Sequence, residues 1–188
     1  MGEVRLLKPD LSSLPAYKAA LERGWSPDNV RGLAATEEEL ARIAEDPAAF
    51  VASLDHLEPD GATITLPDGN RVPRLPGYRR WIWDGDFCGS IGFRWQPGTT
   101  ELPPYVLGHI GYAVVPWKEG RGCATAALRL VLEDARRRDL DWVELTTTED
   151  NIPSQRVIQA NGGVLLGAFE KSPHYGGGRA LRWRIQLT

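Results

Sequence analysis

The sequence predicts an α+β domain from three observations: the order of its periodic segments, the turn dipeptides between its strands, and one long helix of clear 3.6-residue period. The order reads β, α, α, a strand meander, then βαβαββ. Asp68-Gly69 and Asp84-Gly85 are the dipeptides expected between hairpin partners. A length of 188 residues, 42% hydrophobic and 25% charged, suits one soluble core. The expectation is therefore a single domain over 1–188 with a mixed, mostly antiparallel sheet flanked by helices.

Each element has its own signal. Residues 4–7 form a short apolar run at the start, an edge strand, and residues 12–24 a helix that a glycine stops. Thr36 and Glu39 read as a capping box opening the next helix. The stripe Leu40, Ile43, Ala44, Phe50, Val51 and Leu54 is broken by Asp46-Pro47, so two helical pieces are expected there. From about residue 62 the period becomes that of strands. Residues 78–83 and 87–95 are aromatic-rich, and the second run carries Gly89 and Gly92, where its backbone can approach something closely. Trp81, Trp83 and Trp95 stand at period two, the pattern of a core, with an aromatic wall for a substrate as the other reading. After a Pro/Gly loop, residues 108–115 form a strand that Pro116 ends. Ala124, Ala127, Leu128, Val131, Leu132 and Ala135 give the long helix its apolar face. A buried strand at 142–147, a short helix at 151–160 closed by Asn161-Gly162-Gly163, and strands at 164–169 and 181–187 complete the chain.

Composition excludes several classes. Twenty-two basic residues against 25 acidic ones leave a net charge of −3, without the basic stripe of a nucleic-acid binder. The run Arg136-Arg137-Arg138 ends the long helix, where cations complement the helix dipole. Every apolar run falls far short of the roughly 18 residues needed to span a bilayer. The first residues lack the basic start and long apolar stretch of an export signal, so a cytoplasmic chain with two free thiols, Cys88 and Cys123, is expected. Without CxxC, HExxH or a paired histidine cluster, no metal is expected.

The informative segment runs from Tyr112 to Thr125: a strand, a loop holding Gly120 and Gly122, and the start of the long helix. A helix N-terminus leaves about four N–H groups unpaired and carries partial positive charge, and glycines let a loop close on an anion. Such a loop suits a phosphate, although it is also an ordinary connection, and neither the Walker nor the dinucleotide pattern is present. The segment Glu119-Gly120-Arg121-Gly122-Cys123-Ala124 resembles the coenzyme-A-binding motif [QR]-x-x-G-x-[GA] of the GNAT superfamily of acetyl-CoA-dependent N-acetyltransferases, with Glu119 where that family usually carries Gln or Arg. A second segment, Asn151-x-x-Ser154 closed by Asn161-Gly162-Gly163, resembles the family's N-x-x-[AS] helix, in the branch of ribosomal-protein N-terminal acetyltransferases. The two cover residues 107–163.

The resemblance implies an acyl-CoA N-acyltransferase fold: residues 1–60 on the acceptor side, a meander at 61–105, a coenzyme core at 106–163 and strands at 164–188, with the sheet splayed near Val114. It implies acetyl-CoA as co-substrate, its arm paired with the backbone of Ala113, Val114 and Val115, and its pyrophosphate on Glu119, Gly120, Arg121, Gly122, Cys123, Ala124 and Thr125. Asn151 and Ser154 would touch the arm. The acceptor would be an amine-bearing small molecule or a peptide N-terminus, without nucleic acid or membrane, and homodimerisation stays open. A coenzyme-binding module without chemistry is the competing class.

Direct attack on a thioester needs a neutral amine, a route for its proton and a donor for the oxyanion. His109 is the first candidate base, since it lies where many relatives carry a glutamate and titrates near 6.5. The other reading is a histidine hydrogen-bonding its neighbours. Glu144, a charge within an apolar strand, would act through water or stand as a solvated strand end. Ile158 occupies the position of the family's usual tyrosine acid, leaving Tyr112 and Tyr175 as replacements. The oxyanion donor would be a backbone N–H near Val114. The loop Ser172-Pro173-His174-Tyr175-Gly176-Gly177-Gly178 either reads the acceptor or is a long hairpin connection, and Cys123 is a small residue in a crowded loop.

Overall fold

A computed structural model describes residues 2–66 and 69–188, the side chain of His174 excepted. The elements are β1 (Arg5–Leu7), α1 (Leu14–Glu22), α2 (Leu33–Glu45), α3 (Pro47–Ala52), β2 (Asp55–His56), β3 (Thr63–Thr65), β4 (Arg71–Pro73), β5 (Gly77–Trp83), β6 (Phe87–Arg94), β7 (Ile110–Val114), α4 (Cys123–Arg136), β8 (Trp142–Thr148), α5 (Ile152–Ala160), β9 (Val164–Glu170) and β10 (Arg179–Gln186). One sheet has the order β1-β5-β6-β7 with β2 on β5, a second β8-β10-β9, and a third pairs β3 with β4. β1 with β5, β10 with both β8 and β9, and β3 with β4 are antiparallel. The architecture is the expected α+β one. Of the two turn dipeptides, Asp84-Gly85 joins β5 to β6, with Gly85 at φ 116°, while Asp68 lies outside the described residues.

Residues 1–55, 78–92 and 112–130 group into one compact unit, and 56–77, 93–111 and 131–188 into another. The first unit is built on aromatic rings. Tyr17 stacks on Trp81 at 4.9 Å and meets Trp25 and Phe87 edge-on at 5.7 and 5.5 Å. Such pairs add about 0.5–1.5 kcal/mol each beyond their burial. Trp81 thus takes the core reading, fully buried beside Leu21, Phe50 and Val115. Tyr17 donates its hydroxyl to Glu39, which also holds Arg79 at 2.7 Å. Burial pushes the Tyr17 phenol well above its usual range.

The Thr36/Glu39 capping box does not form. α2 starts earlier, after Gly32 (φ 53°), and Thr36 and Glu39 lie inside it, 4% and 8% exposed. Each satisfies a long-range partner instead: Thr36 Oγ1 donates to the Trp25 carbonyl at 3.1 Å, and Glu39 pairs with Arg79. The expected break at Asp46-Pro47 is present, with Asp46 capping α3 by accepting the Ala49 N–H at 2.9 Å.

In the second unit β10 pairs in register with β8 from Ala180–Thr148 to Gln186–Trp142, burying Val143, Leu145, Trp183 and Ile185. Trp183 Nε1 donates to Thr147 Oγ1 at 3.1 Å, which satisfies two buried polar groups at once. Of the three arginines at the end of α4, Arg138 stacks on Trp95, 3.6 Å from the ring centre, and Arg136 Nε donates to the Leu187 carbonyl.

Candidate active site

Among the described residues β7 ends the sheet, and one of its edges pairs with no strand. Its register against β6 follows from two bonds, Arg94 N–H to the His109 carbonyl and Val115 N–H to the Cys88 carbonyl, both 2.9 Å. Alternation along an antiparallel strand then turns residues 111, 113 and 115 toward β6, and the N–H and C=O of Tyr112 and Val114 outward; at His109 only the carbonyl meets β6, its N–H donating to the Glu144 carbonyl at 2.8 Å. Of the three backbone positions expected to meet the coenzyme, Val114 presents itself on the open edge; Ala113 and Val115 face β6. Gly89 permits this pairing. It sits at φ 146°, and a Cβ there would lie 2.1 Å from the Ala113 carbonyl oxygen.

Beyond β7, Pro116 opens a single 3-10 turn through Lys118, and Gly120 (φ 70°) and Gly122 (φ 75°) lead into α4 at Cys123. Two left-handed glycines bracketing Arg121 bend the chain so that the first turn of α4 faces the loop, with nothing within 4 Å of where either Cβ would be. The Ala126 N–H makes the first helical bond, to the Gly122 carbonyl. The first turn of a helix is where anions bind, and the glycine loop leads into that turn as expected. Glu119, Gly120, Arg121 and Gly122 are exposed, Ala124 and Thr125 half-buried.

The turn is fastened from beneath by residues the sequence reading did not single out. Lys118 Nζ binds Asp84 Oδ1 at 2.7 Å, with side chains 14% and 5% exposed. The Arg23 guanidinium lies 3.5 Å over the Trp117 ring, beside a cavity of about 120 Å³ lined by α1 and Phe87. Cys88 and Cys123 are free and buried, and their sulfurs and an Asp84 oxygen lie within 4.8 Å of one another. The Lys118 ammonium already occupies the Asp84 carboxylate, and burial pushes the Cys88 thiol up to about 12, so Cys88 keeps its proton and packs the underside of the loop. Cys123 is the small residue in a crowded place that the sequence suggested.

His109, Glu144 and Tyr175 belong to the second unit, and each is already engaged. His109 is 1% exposed. Its Nδ1 accepts the Glu144 N–H at 2.9 Å, so Nε2 carries the hydrogen and donates to the Thr100 carbonyl at 3.0 Å. Both ring nitrogens are used, Trp142 meets the ring edge-on at 5.7 Å, and burial pushes the imidazole down to about 4. This is the neighbour-bonded histidine rather than a base with a free lone pair. The Glu144 side chain, 10% exposed, receives Arg182 at 3.2 Å and Arg184 at 2.7 Å; it is a buried ion cluster, not a solvated strand end. Tyr175 donates its hydroxyl to the Tyr105 carbonyl, and burial raises its phenol. Asn151 caps α5, its Oδ1 accepting the Ser154 N–H at 3.1 Å, and both residues stand at the start of that helix. The side chain of His174 lies outside the described residues.

Residues 29–164, more than half of the chain, match the family model described as an acetyltransferase (GNAT) domain. The chain belongs to the GNAT acetyltransferases. Solved structures agree in fold. A GNAT-family acetyltransferase from Bacillus anthracis aligns at 16% identity over 100% of this chain and 97% of its own, with a TM-score of 0.63. RimJ from Mycobacterium smegmatis, in complex with CoA-disulfide, aligns at 19% identity over 98% and 82%, with a TM-score of 0.59. MccE, a microcin C7 self-immunity acetyltransferase bound to acetyl-CoA and AMP, aligns at 12% identity over 99% and 93%, with a TM-score of 0.60. No curated protein sequence matches the chain. As a GNAT acetyltransferase this protein uses acetyl-CoA as its co-substrate. Among the described residues no helix is long and apolar enough to cross a membrane.

Proposed function

We propose that this GNAT acetyltransferase transfers acetyl to an α-amine, such as a peptide N-terminus, by direct attack in a ternary complex. One observation carries the choice of acceptor: three of the four side chains that the sequence offered as base or acid, His109, Glu144 and Tyr175, are committed to other partners. An acceptor that needs little help to lose its proton suits such a site. An α-amine, with a pKa of about 7.7–8.0, is roughly one-tenth neutral at pH 7, whereas a lysine amine at about 10.4 is neutral less than one time in a thousand. The acceptor's own chemistry supplies a factor of a few hundred.

In this reading the coenzyme arm pairs along the β7 edge at Val114, and the pyrophosphate rests on residues 119–125. The amine attacks the thioester carbon, and the oxyanion takes a hydrogen bond from the Val114 N–H. The C–N bond forms, the C–S bond breaks, and the proton shed by the amine ends on the departing coenzyme thiol. His109 keeps Thr100 and Glu144 in place through its two ring bonds. The test is a competition between otherwise identical peptides carrying a free α-amine or only a lysine amine. Preference for the α-amine by about a hundredfold in kcat/KM at pH 7 is expected; equal use or lysine preference would refute the assignment.

A further inference from the structure

The connection between α1 and α2 is a preformed turn. Ser26 Oγ donates to the Gly32 carbonyl at 2.8 Å, Asp28 Oδ1 accepts the Val30 and Arg31 N–H groups at 2.8 and 2.9 Å, and the Gly32 N–H returns to the Asp28 carbonyl at 3.0 Å. Trp25, 6% exposed, anchors its start. At the tip, Asn29 reaches β7 and donates Nδ2 to the Tyr112 carbonyl at 3.1 Å. That carbonyl is one of the groups the register turns toward the open edge.

We propose that Asn29 is a positioning residue for acetyl transfer: by capping the Tyr112 carbonyl it leaves Val114 as the pairing point for the coenzyme arm and so fixes where the thioester stops. The proposal rests on the reading that the arm lies along the β7 edge. An open edge offers the same donor and acceptor every second residue, so an extended amide chain can bind in registers two residues, or about 7 Å, apart. In one register the thioester carbonyl meets the Val114 N–H; in the other it is carried past it. A carboxamide N–H on the Tyr112 oxygen removes the acceptor that the wrong register requires. Because residues 26–32 are already held by their own hydrogen bonds, Asn29 loses little freedom in doing so.

Asn29→Asp keeps the shape and deletes the donor, Asn29→Ala deletes both, and Asn29→Gln keeps an amide on a longer stem. Coenzyme A affinity by titration calorimetry, the melting temperature, and kcat and KM with a free α-amine peptide are measured for wild type and all three. The Ala and Asp variants should bind coenzyme A within about threefold of wild type and melt with it, yet lose about tenfold or more in kcat, with partial recovery in Gln. A wild-type kcat in Asn29→Ala would overturn the proposal. So would a parallel loss of affinity, melting temperature and kcat, which is the signature of a merely structural contact. If wild type itself fails to bind coenzyme A, the edge reading falls and takes this proposal with it, a failure seen before any variant is compared.

Discussion

Lowering the pH from 7 to 5 probes His109 directly. Its imidazole titrates near 6.5 in an unfolded chain, and burial pushes it down to about 4 in the fold. Between those values the unfolded chain binds a proton that the native protein refuses, so stability rises with pH across the window. The contribution is complete above about 6.5 and is lost as the pH falls toward 4. At about 1.4 kcal/mol per unit the full difference is roughly 3 kcal/mol, and the part lost between pH 7 and pH 5 is about 2 kcal/mol. Carboxylates titrate in the same range, and a His109→Gln variant separates them because it shares every other group. Urea unfolding of both proteins at pH 7 and pH 5 should show wild type losing about 2 kcal/mol more than the variant. Equal losses, within about 0.5 kcal/mol, would mean that His109 accepts a proton in the fold, and the neighbour-bonded role would be refuted.

Other perturbations act on the coenzyme loop. Lys118→Met strands the Asp84 carboxylate, 5% exposed, and should cost about 3–5 kcal/mol by urea unfolding, with much of it restored when Asp84→Asn is added. Gly89→Ala places a methyl 2.1 Å from the Ala113 oxygen at a φ of 146°, and should lower stability by at least about 2 kcal/mol in the same assay. Gly122→Ala places a Cβ with no atom within 4 Å but must hold φ 75°; calorimetry should show coenzyme affinity falling further than the loss of about 1–2 kcal/mol in stability. Acetyl-CoA at about a hundred times its Kd should add about 2.7 kcal/mol to wild-type stability in thermal unfolding, and ATP should add nothing.

What the sequence reveals and what it hides follows from the range of the interactions. α4 is legible because its apolar face repeats every three to four residues, and the loop before it because Gly120 and Gly122 are local requirements of the backbone. The α2 start is misread because Thr36 and Glu39 match a local cap while their partners, Trp25 and Arg79, lie 11 and 40 residues away. His109 looks like a base because its type and place suit one, but its partners are the Thr100 carbonyl and the Glu144 N–H, backbone groups that no side-chain pattern announces. Asn29 escapes notice for the same reason, its acceptor being a carbonyl 83 residues on.

The most direct measurement is kcat/KM against pH for two peptides whose α-amines differ by about one pKa unit. If the acceptor provides its own neutral amine, the inflection moves with the peptide, by about one unit. An inflection that stays at one pH for both peptides would reveal a titrating base on the enzyme and contradict the mechanism.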